Sequence, residues 1–382
     1  MKGDRRILSL PHGSKLVNRI VASESIKTSE LPKIEVDWTT ALDAEKIAVG
    51  SFSPLEGFMC RQDYVNVIYK ERLANDVVWT MPIILCPSGK ENAKIVRELR
   101  EGDDLVLEYN GKSVAIMHLE EKFGYNKKEL AIQVYGTTDR SHPNVSDIYD
   151  MDETALGGTI DLINRVSQES TPLDTRETFK KHHWRTIAGY QTRNPPHMVH
   201  EYLQRNVMEK VDGLLIHPVI GKLKSDDFPP EAIVESYKFL IDNYYPKGRV
   251  YFNTLSIGMR YAGPKAAIFL ALIRKNYGCT HFVIGRDMAG IGGLYEPYRA
   301  HEMFDELDLG IEPIKFEEAF YCKRCDLLVT TRTCEHSNED HVSMSMTKLR
   351  EMIRQGIMPS EKTMRPEIAR ILMKFGKESK SG

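Results

Sequence analysis

The rhythm of the chain changes at Ser170-Thr-Pro-Leu173, and the pattern beyond that point constrains the fold more than any other feature. There, apolar runs of strand length alternate with longer segments of helical period. Trp184–Ala188 reads as a strand, followed by a loop and a helix through Tyr202. Gly213–Ile216, Arg249–Phe252 and Thr280–Ile284 read as further strands, separated by helices over Pro230–Tyr244 and Pro264–Asn276. Strands joined through helices pair in parallel, so the stretch predicts a parallel sheet with helices on both faces. Such sheets bind ligands beyond the carboxyl ends of their strands.

The flanking regions read differently. Before residue 170 the chain is β-rich, with apolar runs at Val77–Leu85 and Asp104–Tyr109, the second followed by an Asn110-Gly111 turn. Asp63 stands where it would cap a helix over Tyr64–Leu73. From residue 322 a short Cys/His segment leads to helical patterns over Thr347–Gln355 and Pro366–Phe375. The fold class is therefore mixed, a β domain followed by an α/β domain, with domains at 1–170, 171–321 and 322–382. A chain of 382 residues exceeds what one small core organises.

The net charge is -2, which gives no general attraction to nucleic acid or to an anionic membrane. There is no apolar run of about 18 residues, the length needed to span a bilayer. The start, Met-Lys-Gly-Asp-Arg-Arg-Ile, has no apolar segment of the secretory kind, so the cytoplasm is the expected setting. Any anion site must then come from local placement of Arg, His and backbone N–H groups.

Such a placement occurs where strand 184–188 ends, in Gln191-Thr192-Arg193-Asn194-Pro195-Pro196-His197-Met198-Val199-His200-Glu201. The two prolines launch a helix, and His197 and His200, three apart, share one face of its first turn. Free N–H groups at a helix start suit a polyphosphate, and Arg193 in the preceding loop suits an oxyanion. A second segment comes after strand 280–284: Gly285-Arg286-Asp287-Met288-Ala289-Gly290-Ile291-Gly292-Gly293. Its small residues allow close backbone approach to a ligand, but no Gly-Lys-Ser/Thr comes next, so it is not a Walker A loop. His217–Asp227 and Met259–Pro264 lie at other strand ends and are expected to line the same crevice.

Cys60, Cys86 and Cys279 are isolated within or beside apolar runs and read as buried thiols. Cys322, Cys325 and Cys334 form a Cys-x2-Cys-x8-Cys group with His336 and His341 close behind. Three thiolates and an imidazole make a closed structural zinc pattern that would staple a segment too small for its own core.

Taken together, these segments resemble the sulfate adenylyltransferase (ATP sulfurylase) family through most of the chain. Its QxRNPxHxxHE signature is met at Gln191–Glu201, its GRDHAG loop at Gly285–Gly290 and its MRYAGP-type element at Met259–Pro264. Pro11–Arg19 and Ser51–Met59 also look like family segments. Three positions depart from the pattern: Met288 replaces a His, Leu223 a Thr and Met346 a Gly.

The resemblance implies an N-terminal PUA-like β-barrel domain, a Rossmann-like nucleotidyltransferase domain and a small zinc-stapled helical domain. It implies formation of adenylyl sulfate and diphosphate from ATP and sulfate, by direct attack of sulfate on the α-phosphate, or the reverse reaction making ATP. Carried over by position, Gln191 and Arg193 hold sulfate with the Ala289 backbone, and Thr192, Arg193 and Asn194 form the catalytic loop. His197 and His200, with Pro195 and Pro196 beside them, meet the ATP phosphates. Gly285, Arg286, Asp287 and Met288 line the nucleotide, and Phe320 is a further adenine contact. His341 is the implied fourth zinc ligand, because it directly precedes the Val342–Arg350 element; His336 is the alternative. Mg²⁺ with ATP, a homodimer and the absence of a fused adenylyl-sulfate kinase complete the expectation. Two other readings of the motifs are another HxxH-type adenylyltransferase and an RNA-binding protein with a PUA-like domain and a zinc ribbon.

Overall fold

A computed structural model describes residues 8–22, 28–221, 227–342 and 346–378, so Leu223 lies outside the described residues, as do Met344 and Ser345. The first region comprises β1 (Lys33–Glu35), α1 (Trp38–Ala48), β2 (Gly57–Phe58), α2 (Arg61–Lys70), α3 (Lys90–Glu98), β3 (Asp104–Tyr109), β4 (Lys112–Gly124), α4 (Lys127–Tyr135), α5 (Pro143–Asp150) and β5 (Thr154–Leu162). Its sheet has the order β1-β3-β4-β5-β2, with β1 and β2 at its two ends. Of the strand pairs in this sheet, β1–β3 is parallel and the others are antiparallel.

Two expectations fail here for physical reasons. Val77–Leu85 is extended but forms no ladder, because its groups bond to several different segments. The Trp79 N–H donates to the Glu71 carbonyl, the Ile83 carbonyl accepts from Met59 N–H, and the Leu85 carbonyl accepts from Leu156 N–H. Helix α2 starts at Arg61, so Asp63 lies inside its first turn, and its carboxylate instead accepts the Ala74 N–H at 2.6 Å.

The second region comprises α6 (Pro172–Lys181), β6 (Ile187–Thr192), α7 (Met198–Met208), β7 (Gly213–Pro218), α8 (Pro230–Tyr244), β8 (Val250–Phe252), α9 (Pro264–Asn276), β9 (His281–Ile284), α10 (Arg299–Glu306) and β10 (Glu312–Lys315). A Thr171–Asp174 capping box starts α6. Strand β6 begins later than the sequence suggests, because the Asp212 carboxylate takes the N–H groups of Arg185 and Thr186 before the ladder can. All pairs in this sheet are parallel, in the order β10-β9-β6-β7-β8. The strand order reverses between β6 and β9, and such a switch point opens a crevice at the carboxyl edge.

Successive residues of each strand feed opposite cores. Ile187, Leu215, Phe282 and Ile284 join one, and Ala188, Leu214, Ile216 and Val283 join the other. The first core is continuous with that of the N-terminal region. Helix α9 explains how: residues 266 to 273 are all buried and apolar, because it lies between sheet and N-terminal region. Phe269 there meets Phe52 and Trp79 at centroid distances of 5.2 and 5.5 Å. Each such buried ring contributes roughly 2–3 kcal/mol of transfer free energy.

The last region holds β11 (Ala319–Cys322), β12 (Leu327–Thr330), β13 (His341–Val342), α11 (Met346–Arg354) and α12 (Pro366–Glu378). The strands form a separate sheet, β12-β11-β13. The two helices join the second core through Leu349, Ile353, Ile368 and Leu372.

Candidate active site

A cleft of about 450 Å³ opens at the carboxyl ends of β6 and β9. Gln191, Thr192, Arg193, Asn194, His197 and His200 line it from one strand end, and Gly285 through Gly290 from the other. A larger groove of about 800 Å³ lies between α8 and α12, but its lining includes none of these residues. Pro195 and Pro196 are buried behind the cleft.

The loop after β6 is held by bonds from its own turn and from distant segments. Thr192 Oγ1 accepts the Asn194 N–H at 3.1 Å and donates to the Asn194 carbonyl at 3.3 Å, so this hydroxyl shapes the turn. Helix α7 starts at Met198, with His197 as its N-cap. Two of its first amides are already engaged: Met198 N–H donates to the Thr363 carbonyl at 3.0 Å, and Val199 N–H to His197 Nδ1 at 3.3 Å. The helix start is therefore a less open amide site than its sequence suggests. The rings of His197 and His200 stack with centroids 3.9 Å apart. Burial, reinforced by His200, holds His197 well below the usual imidazole range. Burial likewise brings His200 down to about 4, against a hydrogen bond to the Pro195 carbonyl, and its Nδ1 has no protein partner. Both rings are neutral at pH 7. Glu201 faces away from this chemistry and binds Arg205 and Arg365, tying α7 to the segment before α12.

Arg193 is the cation at the mouth of the loop. Its Nη1 donates to the Tyr261 hydroxyl at 2.7 Å, and its guanidinium lies 5.2 Å from the centre of that ring. Asp227 Oδ2 stands 3.8 Å from the same nitrogen. Tyr261 is fixed in turn by the N-terminal region: its N–H donates to Asn144 Oδ1 at 2.9 Å, and its carbonyl accepts from His142 Nε2 at 3.1 Å. The neighbouring Arg260 pairs with the buried Asp43 at 2.5 Å. The Met259–Pro264 element thus lines the cleft as expected, through Met259 and Tyr261.

The loop after β9 is shaped by its backbone. Asp287 and Ala289 hold φ of 50° and 57°, the left-handed region that costs a non-glycine residue about 1 kcal/mol. A Cβ on Gly290 would lie 2.1 Å from Asp287 Oδ1, so a side chain there requires that carboxylate to turn aside. Gly263 N–H donates to the Ala289 carbonyl at 3.1 Å and joins this loop to the Tyr261 segment. Arg286 Nη1 lies 3.6 Å from Glu318. Met288 packs partly buried against the first core.

Other expected residues fall elsewhere. His217 is fully buried, with Nε2 donating to the Thr254 carbonyl at 3.1 Å, and does not reach the cleft. Phe320 is not part of the lining, and its ring stacks on His341 at 3.8 Å. Its neighbour Ala319 does line the cleft, as do Glu317 and Glu318. Sequence reading missed these acids because it missed β10, whose carboxyl end brings them to the same edge; the short run Ile311–Lys315 was the available signal.

Away from the cleft, one ligand atom each from Cys322, Cys325, Cys334 and His336 lies within 4.8 Å of the others. His336 Nδ1 is 3.3, 3.2 and 3.5 Å from the three sulfurs, and Cys325 and Cys334 are 3.7 Å apart. A tetrahedral zinc with bonds near 2.3 Å requires sulfurs about 3.7 Å apart. The structure gathers His336 and not the preferred His341. The latter pairs with Cys322 across the β11–β13 ladder, lies on Phe320, and has its Nε2 3.9 Å from the Cys334 sulfur. Burial raises the Cys322 thiol, but N–H groups of Cys325 and Arg324 outweigh this and draw it below the usual range.

Comparison with known proteins matches the chain in two segments that meet near residue 166. A PUA-like domain family matches residues 9–165, and the ATP-sulfurylase family matches residues 167–375. A sulfate adenylyltransferase of Staphylothermus marinus is 47% identical over 376 residues, covering 96% of this chain and 97% of the relative. One from Halothermothrix orenii is 44% identical over 379 residues, covering 95% and 98%. A solved structure described as a hexameric APS kinase from Thiobacillus denitrificans superposes with a TM-score of 0.75 at 21% identity, over 96% of this chain and 68% of that one; this likeness is one of fold. On the family match and these near full-length identities, the chain belongs to the ATP-sulfurylase family.

Proposed function

We propose that the cleft between β6 and β9 joins ATP and sulfate to give adenylyl sulfate and diphosphate. The observation that carries this reading is the convergence of Gln191, Arg193, the histidine pair and the 285–290 loop at one switch point. In this reading the second region is a Rossmann-like nucleotidyltransferase domain, and the chain divides at 1–170, 171–321 and 322–382.

Sulfate is already a dianion at neutral pH, so it needs no general base. Its difficulty is approach to another polyanion, which makes positioning and charge neutralisation the main tasks. A sulfate oxygen forms a bond to the α-phosphorus while the bond from that phosphorus to the bridging oxygen breaks, and diphosphate carries away the electron pair. Gln191 and Arg193 hold sulfate with the Ala289 backbone. Arg286 neutralises phosphate charge, with Gly285, Asp287 and Met288 along the nucleotide. His197 and His200, both neutral, act through ring N–H groups toward the phosphates. Thr192 acts by shaping the turn that presents Arg193 and Asn194. The same groups serve the reverse direction, in which diphosphate attacks adenylyl sulfate to make ATP.

The acids of the cleft, Asp287, Glu317 and Glu318, do not form a metal-ligand cluster; among the described residues the one such group is the Cys/His cluster. Mg²⁺ bound with ATP would supply further neutralisation of phosphate charge, held chiefly by the phosphates and water. Zinc would be held by Cys322, Cys325, Cys334 and His336, a donor set suited to it, and would cross-link the β11–β13 sheet. A homodimer in the cytoplasm completes the reading, resting on the sequence resemblance; no helix among the described residues is long and apolar enough to cross a membrane.

Arg193→Ala tests the assignment. The variant is expected to remain folded and to lose adenylyl transfer by about 10³-fold, as removal of a key oxyanion donor does. Near-normal turnover would contradict the role given to Arg193.

A further inference from the structure

Beyond β8 the chain leaves the parallel sheet, and its backbone groups need other partners. Leu255 still bridges to Val219, but residues 256 to 261 are bonded by side chains of the region before residue 170. Ser256 N–H donates to the Glu169 carboxylate at 2.9 Å. Arg260 turns toward Asp43 at 2.5 Å, while Met259 and Tyr261 on either side of it line the cleft, the alternation of an extended segment. Asn144, in the first turn of α5, binds this segment twice. Its Nδ2 donates to the Met259 carbonyl at 3.1 Å, and its Oδ1 accepts the Tyr261 N–H at 2.9 Å. One carboxamide thus serves an acceptor and a donor two residues apart, as a peptide group of an adjoining strand would. His142, the N-cap of the same helix, takes the Val145 N–H on Nδ1 and so donates from Nε2 to the Tyr261 carbonyl at 3.1 Å. Val145 and Ile148 anchor α5 in the first core.

We infer that Asn144 is a positioning residue for the reaction: standing in for a neighbouring strand, it sets where Tyr261 lies in the cleft and, through the Tyr261 hydroxyl, the aim of Arg193. The inference rests on the proposed sulfate role of Arg193. The guanidinium donates to that hydroxyl at 2.7 Å and lies 5.2 Å from the ring centre, so a shift of the Tyr261 backbone is passed on to it. Paired hydrogen bonds from a guanidinium to an oxyanion tolerate little error in its orientation. A carboxamide suits the task, because it offers both a donor and an acceptor and adds no charge beside an anion site. Tyr261 has further support, including the Tyr295 hydroxyl on its carbonyl at 3.1 Å, so loss of Asn144 should weaken the aim of Arg193 without abolishing turnover. The geometry also gives the N-terminal region a part in the reaction. It contributes none of the residues that line the cleft, yet it templates one wall of it.

The test is a double-mutant cycle on the full-length protein, reading KM for sulfate and KM for ATP separately. Asn144→Ala is expected to raise the sulfate KM about fivefold and the ATP KM by no more than about twofold. In a Tyr261→Phe background, which lacks the hydroxyl, the same change should add no more than about twofold to the sulfate KM. A parental sulfate KM in Asn144→Ala would overturn the inference, as would equal rises in both KM values or the full rise repeated in the Tyr261→Phe background. If Asn144→Ala does not fold, Asn144→Asp decides, since it keeps the shape and the acceptor but loses the donor to the Met259 carbonyl. It should raise the sulfate KM in the parent and not in the Tyr261→Phe background. A carboxylate acting by charge alone would raise it in both, and that result, like a parental value, overturns the inference. Arg193→Ala run alongside separates the two levels. If it retains turnover, the Arg193 reading fails; if it is inactive while Asn144→Ala keeps a parental sulfate KM, only the role given to Asn144 fails.

Discussion

The two loops that meet at the switch point are built on opposite principles. The loop after β6 carries its chemistry in side chains, and partners from distant parts of the chain hold it: Tyr261, Asp227 and the Thr363 carbonyl. The loop after β9 carries its shape in its backbone, with two left-handed residues and a glycine under a carboxylate. In the proposed reading the first side of the cleft supplies most of the side-chain donors to the anions, while the other supplies Arg286 and a close-fitting wall. Damage to the first should appear as lost function in a folded protein. Damage to the second should act through geometry and be partly repairable by making room.

The largest effect after loss of Arg193 is expected from Gly290→Ala. Its Cβ would require the Asp287 carboxylate to turn aside from the nucleotide wall, and turnover is expected to fall by about 10-fold if that carboxylate helps position the nucleotide. Asp287→Ala in that background should recover part of the loss. No recovery would mean that contact with the Asp287 carboxylate is not what a side chain at 290 disturbs.

With zinc held by the Cys/His cluster as proposed, chelation is expected to lower the melting temperature by roughly 5 °C or more, because the β11–β13 sheet has only a small core of its own. A scanning melt with and without chelator checks this, and His336→Ala should reproduce the chelator effect more fully than His341→Ala.

The pH dependence of stability comes from the buried histidines. Burial pushes His12 down to about 4, although a hydrogen bond to the Val78 carbonyl opposes the shift, and His200 also sits at about 4. The unfolded chain takes up these protons as pH falls below about 6.5, whereas the folded chain takes them up only near pH 4. Stability is thus full above about pH 6.5 and is lost as pH falls toward 4, by about 3 kcal/mol for His12 alone. Urea midpoints measured between about pH 7 and 4.5 should fall accordingly. Turnover itself should be flat from about pH 6.5 to 8, since neither cleft histidine titrates there.

The smallest effect is expected from Met288→His, which restores the usual family residue. Met288 is packed against the first core and belongs to the wall, so turnover should change by no more than about threefold. A larger gain would show that position 288, like Arg286, works through its side chain.

Legibility in the sequence divides along the same line. Gln191, Arg193, His197 and His200 could be found because their spacing is local, fixed by one strand end and one helix start. Four strands of the parallel sheet could be found because each contains a short apolar or aromatic run between helical segments, such as Leu214–Ile216 and Phe282–Ile284. Tyr261 was seen only as part of a motif, since its bond to Arg193 joins positions 68 residues apart. The Asp227–Arg350 pair joins positions 123 residues apart, and neither residue is marked by its local pattern. The choice between His336 and His341 depended on how β13 pairs with β11, a register that spacing alone does not fix. Strand β10 was overlooked because four residues with a proline among them give no clear period.

The most direct measurement of the central claim is diphosphate release from ATP with and without sulfate, together with ATP formation from adenylyl sulfate and diphosphate. Release that depends on sulfate, with the reverse reaction proceeding on the same enzyme, is the expected result. Release from ATP that is indifferent to sulfate, or no ATP formed in the reverse direction, would contradict the account.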